Sequence, residues 1–250
     1  MDAVLNHFFV RDHFDAIHDN FRLSPESGHA EAQSNWGVIE HRLARVMSNI
    51  DAINGKGVLV VLYGGSARRE FSAASDLDIA VIGEERDNVQ RMEAVIKAFA
   101  EYELGIPVEF FPPISLASLE TFIFGNPDCY PDFIHGRIVC GSNDLAIAYQ
   151  HTVDQCLSDE KYRASVCSYY REYASDSLSV KAMLKMIRVA QAFGMEVPYL
   201  LLDKLLSAKC ADAVGDDDLC AIYRGDKWIR DQIDSLRMRF INHDVPGVAQ

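Results

Sequence analysis

The sequence is short of positive charge. It has 24 Lys and Arg against 37 Asp and Glu in 250 residues, for a formal net charge of −13. A dedicated nucleic-acid binder draws its affinity from neutralising phosphates. Long nucleic acids are therefore disfavoured as partners, although one local basic pocket for a nucleotide is compatible with the balance. Long hydrophobic runs are also missing. The longest clean one is Val58-Leu59-Val60-Val61-Leu62-Tyr63, far below the roughly 20 residues of a membrane-spanning helix, so no membrane partner is expected. The six cysteines (Cys129, Cys140, Cys156, Cys167, Cys210 and Cys220) form no Cys-x-x-Cys pair, which argues against a zinc site. No His-Glu-x-x-His spacing occurs among the eight histidines. The opening residues show an acidic second position and interrupted apolar spacing in place of an export leader, so a cytoplasmic location with reduced, buried thiols is expected.

What is present is the composition of a folded globular protein, 49% hydrophobic and 24% charged, in a length that suits one large domain or two small ones. Apolar residues at helical spacing mark residues 1–21 and 36–53, a helical extension over residues 1–54. Its phenylalanines Phe8, Phe9, Phe14 and Phe21 need burial, either on the adjoining domain, which is the expectation, or in a dimer contact. A buried strand is expected at Val58–Tyr63, a second at Leu77–Ile82 and a third at Ile106–Phe111, with a helix over 87–102 between the last two. Residues 136–141 are a candidate edge strand. Beyond these, helical patterns dominate at about 144–157, 159–174, 177–193, 197–213 and 217–241. The expected fold class is an α/β (α+β) domain with a mixed sheet over residues 1–145, followed by a helical bundle over 146–250.

The stretch that carries chemistry runs from Leu62 to Val81. A buried strand delivers the chain to Gly64-Gly65-Ser66, where glycines let a backbone approach a phosphate closely and N–H groups can cradle it. The second strand opens with Asp76 and Asp78, whose spacing of two puts both carboxylates on one face. Two adjacent carboxylates repel unless a cation sits between them, and magnesium suits oxygen ligands that it shares with phosphates. Glu109 is an isolated acid in the apolar third strand, and pairing beside the Asp76 strand would complete a three-carboxylate cluster. An edge glutamate facing solvent is the plainer alternative, and Glu103 the substitute third acid.

These residues resemble the signature of the DNA polymerase β-type nucleotidyltransferase superfamily: a strand, a Gly-Gly or Gly-Ser turn, a spacer of about ten residues, a hydrophobic-flanked Asp-x-Asp and a later third acid. Arg68-Arg69-Glu70 is similar to versions in bacterial adenylyl- and uridylyltransferases that modify nitrogen-regulation proteins. The layout after Glu109 is most similar to aminoglycoside adenylyltransferases, although Val197-Pro198 is followed by Tyr199 where those enzymes suggest a lysine. The resemblance implies a magnesium-dependent enzyme with two ions on Asp76, Asp78 and Glu109, ATP as the donor, and AMP transfer onto a hydroxyl. It implies nucleotide contacts from Gly64, Gly65, Ser66, Arg68, Arg69 and Lys185. Counting back from Asp76 puts Gly65 where the family's serine stands, so either Gly65 or Ser66 meets the phosphate. Lys181, Lys185 and Arg188 share one helix face, as a phosphate-contacting stripe or a solvated basic face. The acceptor is expected to be a small hydroxylated molecule, with a protein acceptor or a non-catalytic nucleotide-binding module as alternatives.

Overall fold

The computed structural model describes residues 57–68, 76–103, 107–176, 180–210 and 225–242. The expected helices over 1–21 and 36–53 lie outside these residues, as do Arg69 and the acidic run at 216–218. The described residues fall into two compact units.

The first unit is built on a four-stranded sheet: β1 (Val58–Leu62), β2 (Leu77–Gly83), β3 (Val108–Phe110) and β4 (Arg137–Cys140), in the order β3-β2-β1-β4. All of β1 is buried, which is why it reads as an unbroken apolar run and lies inside the sheet. It pairs antiparallel with both β2 and β4. β2 and β3 pair in parallel, and a parallel pair needs a long crossover. Helix α2 (Arg86–Glu103) supplies it, packing buried Val89, Met92 and Ile96 onto the sheet. Each such side chain contributes about 1.5–3 kcal/mol of burial. β4 alternates half-buried and buried residues, as an edge strand should. The sheet is mixed, as the pattern of the sequence suggested.

Two helices between β3 and β4, Leu116–Gly125 (α3) and Tyr130–His135 (α4), are absent from the sequence reading. Both are short and rich in aromatic and β-branched residues, so neither shows a clean helical period. Phe122 of α3 and Phe133 of α4 pack in the first unit with Phe111, their rings meeting edge to face at 6.2–6.4 Å. The next helix, α5 (Asn143–Ser158), runs without a break through the boundary expected near residue 145, and the first unit continues to Cys156.

The second unit contains residues 126–131 and the helices α6 (Glu160–Asp176), α7 (Val180–Ala192), α8 (Tyr199–Cys210) and α9 (Lys227–Ile241). α7 packs on α8, and α6 on α9. Ile229, Ile233 and Leu236 are buried on one side of α9, as their spacing indicates. Asp226 starts that helix: its carboxylate accepts the N–H groups of Trp228 and Ile229 and pairs with Lys204. The stacked rings of Tyr130 and Phe193 lie 5.3 Å apart, with the Arg163 guanidinium 4.4 Å over Phe193. In α7 the Lys181 side chain lies outside the described residues, and the two described basic residues of the expected stripe do not form a solvated face. Arg188 is only 4% exposed and Lys185 is half-buried, because nearly every described side chain of this helix lies inside the unit.

Four cysteines, Cys129, Cys140, Cys156 and Cys167, are free thiols, the last three of them buried. Among the described residues no helix is long and apolar enough to cross a membrane.

Candidate active site

The site forms where β1 ends. After Leu62 the chain turns into a five-residue helix, α1 (Gly64–Arg68), so the Gly-Gly-Ser segment is the opening of a helix. The Tyr63 N–H donates to the Asp78 carbonyl at 3.0 Å, and the Tyr63 carbonyl accepts from the Ala67 N–H at 3.0 Å. Gly64 sits at φ +57°, and a Cβ there would fall 1.8 Å from Asp78 Oδ2. This position therefore requires glycine on two counts, conformation and space. The first glycine of the turn lies directly against the second aspartate of the pair.

The three acids named from the sequence come together. Asp78 and Glu109 are partners across the parallel β2–β3 ladder. Each of Asp76, Asp78 and Glu109 offers a carboxylate oxygen, and the three oxygens lie within 4.8 Å of one another. Asp76 and Glu109 are exposed and Asp78 is half-buried. The other candidate third acid, Glu103, ends α2, and its side chain is outside the described residues.

Burial pushes the Asp78 carboxyl up to about 6, with the neighbouring charges of Asp76, Asp132 and Glu109 adding to the rise and Arg68 opposing it. Like charges held this close disfavour ionisation of the most buried member. A divalent cation on the three oxygens removes that penalty. The donor set is all carboxylate, which fits magnesium or manganese rather than zinc. On chemistry and spacing the cluster fits the metal centre that its residues suggest.

Arg68 closes the other side. Its Nη1 lies 3.3 Å from Asp132 Oδ1, with both side chains about nine-tenths buried (11% and 10% exposed). Asp132 escaped the sequence reading. The available signal was a single acid inside Tyr130-Pro131-Asp132-Phe133-Ile134, an apolar segment where a buried carboxylate needs a partner. Behind the turn, the hydroxyls of Tyr63 and Tyr149 are hydrogen-bonded at 2.7 Å, and Gly136 leaves room for both rings. Ser66 is fully buried within α1. Lys185 belongs to the second unit.

Residues 45–124 match the family model described as a nucleotidyltransferase domain. The match spans the turn, all three acids and the crossover helix. No curated protein matches the chain. The chain thus carries a nucleotidyltransferase domain, consistent with the polymerase β-type superfamily that the Gly64–Asp78 stretch resembles.

Proposed function

We propose that the protein transfers a nucleoside monophosphate, AMP from ATP, onto a hydroxyl of a small molecule in a magnesium-dependent reaction. The observation that carries this reading is the convergence of Asp76, Asp78 and Glu109 beside the Gly64 turn. Asp76, Asp78 and Glu109 would hold the metal, two ions being the family's usual number. Bound magnesium supplies neutralising charge for the triphosphate. The acceptor oxygen bonds to the α-phosphorus, the bond from that phosphorus to the β-bridging oxygen breaks, and pyrophosphate leaves with the electron pair. Glu109, exposed in β3, would bind the second ion or take the acceptor's proton. The backbone of Gly64–Ser66 holds the β- and γ-phosphates, and Arg68 and Arg69 offset charge on the leaving group. The overall charge of −13 suits a cationic acceptor. Free thiols at four described cysteines suit a reducing cytoplasm.

Incubation with radiolabelled ATP, GTP, CTP and UTP plus magnesium, followed by separation of small-molecule and polypeptide products, tests the proposal. Labelled small-molecule adducts with pyrophosphate release are the expected result. Label on a co-purifying polypeptide replaces the small acceptor with a protein one. Magnesium-dependent ATP binding without pyrophosphate release across many acceptors marks a binding module and overturns the catalytic reading.

A further inference from the structure

Ser66 occupies an unusual point in the sheet. β1 and β2 pair antiparallel up to Leu62 opposite Ile79. The next pair, Tyr63 and Asp78, would ordinarily exchange two N–H···O bonds. Only one of them forms, from the Tyr63 N–H to the Asp78 carbonyl. The Tyr63 carbonyl has turned away to accept Ala67 N–H as α1 begins. The Asp78 N–H has therefore lost its ladder acceptor. Ser66 Oγ takes the carbonyl's place, accepting the Asp78 N–H at 3.3 Å, and donates its own proton toward the Asp76 carbonyl at 3.5 Å. On the opposite edge, the Leu77 N–H is bonded to the Pro107 carbonyl at 2.9 Å. Leu77 itself is fully buried. The backbone from Asp76 to Asp78 is thus held on both edges, and Ser66 provides the hold on the side of the turn.

Ser66 is 0% exposed. Turning its hydroxyl outward would leave a buried N–H without an acceptor, an unfavourable state. We infer that the Ser66 hydroxyl is a positioning group for the acidic cluster, fixing the backbone that carries Asp76 and Asp78, and that it is not a phosphate ligand. The inference rests on the reading of Asp76, Asp78 and Glu109 as a metal centre, and it assigns the close approach to phosphate to the glycines rather than to the serine side chain.

The two roles separate without any turnover. A phosphate ligand matters only when nucleotide is present, whereas a positioning group matters to the empty site. Mn2+ binding to nucleotide-free protein, measured by calorimetry for the wild type, Ser66→Ala and Ser66→Cys, makes the distinction. Ser66→Ala is expected to weaken Mn2+ binding about tenfold, the effect of losing one buried hydrogen bond. Ser66→Cys is nearly isosteric with a weak donor and acceptor, is expected to fall between the two, and carries the test if the alanine variant does not fold. Amide exchange at Asp78 in metal-free protein is expected to accelerate in both variants. Mn2+ affinity within twofold of wild type in a folded Ser66 variant overturns the inference alone. A wild-type protein that binds no Mn2+ overturns the metal centre, and the inference with it.

Discussion

The first unit contains a charge arrangement not found among the described residues of the second. The first gathers three carboxylates, Asp76, Asp78 and Glu109, with oxygens within 4.8 Å of one another. The second sets its charges against partners: Lys204 on Asp226, Arg237 on Asp234, and Arg163 over the Phe193 ring. A partnered charge is a device of folding and is worth little at the surface. Three like charges held together cost stability, and here the cost falls next to a glycine that nothing larger can replace. The contrast separates the charges that serve a site from those that hold the fold.

Substitutions in the two units should therefore move different quantities. The largest effect belongs to the cluster. Asp76→Ala or Asp78→Ala is expected to cut nucleotide transfer by at least ~1,000-fold, on the order of 4 kcal/mol in the barrier, as read by pyrophosphate release, without unfolding the protein. Arg68→Met should, besides slowing transfer, strike the fold of the first unit. It removes the guanidinium that faces the nine-tenths-buried Asp132, a change that costs about 3 kcal/mol, measurable by urea denaturation. A stability change below 1 kcal/mol would show that this buried pair behaves like a surface one.

Asp78 gives the contrast a pH signature. Its carboxyl is raised from 3.8 to about 6 by burial first and neighbouring acids second. A raised carboxylate binds its proton more tightly folded than unfolded. Its contribution to stability is fully present below the unfolded value near 4 and is lost as pH rises through about 6. In metal-free protein at pH 7.5, Asp78→Asn is expected to stabilise the fold by about 2 kcal/mol, a rise of several degrees in Tm. That advantage should shrink as pH falls from 7 to 5. An advantage independent of pH would mean that Asp78 titrates normally. The smallest effect lies in the second unit. Asp226→Ala removes the cap of α9 and the partner of Lys204 and should lower Tm slightly, with transfer activity unchanged.

Much of this was legible in the sequence for identifiable reasons. β1 is buried on both faces, so it reads as a continuous apolar run. Asp76 and Asp78 stand two apart in a strand, which alone puts them on one face. Glu109 stood out because it interrupts an apolar strand, and the parallel register sets it beside Asp78. Asp132 gave a signal as a lone acid in an apolar segment, but its partner was not legible, because Arg68 lies 64 residues away. Neither was the role of Ser66, which follows from a missing ladder bond that only the turn of Tyr63 creates. α3 and α4 were missed for want of a helical period. In α7 the spacing of Lys185 and Arg188 correctly gave one helix face, but that face is largely buried, since periodicity places residues together without saying what covers them.

The central claim, that Asp76, Asp78 and Glu109 hold a divalent cation, is tested most directly by the thermal shift that Mg2+ produces in the wild type and in Asp78→Asn at pH 7.5. A cation that binds only the folded state stabilises it by RT ln(1 + c/Kd), where c is the free Mg2+ concentration, so the effect keeps growing with concentration. The expected result is a Tm that rises with Mg2+ in the wild type and stays flat in the variant. A wild type that does not respond, or equal rises in both proteins, would contradict the claim.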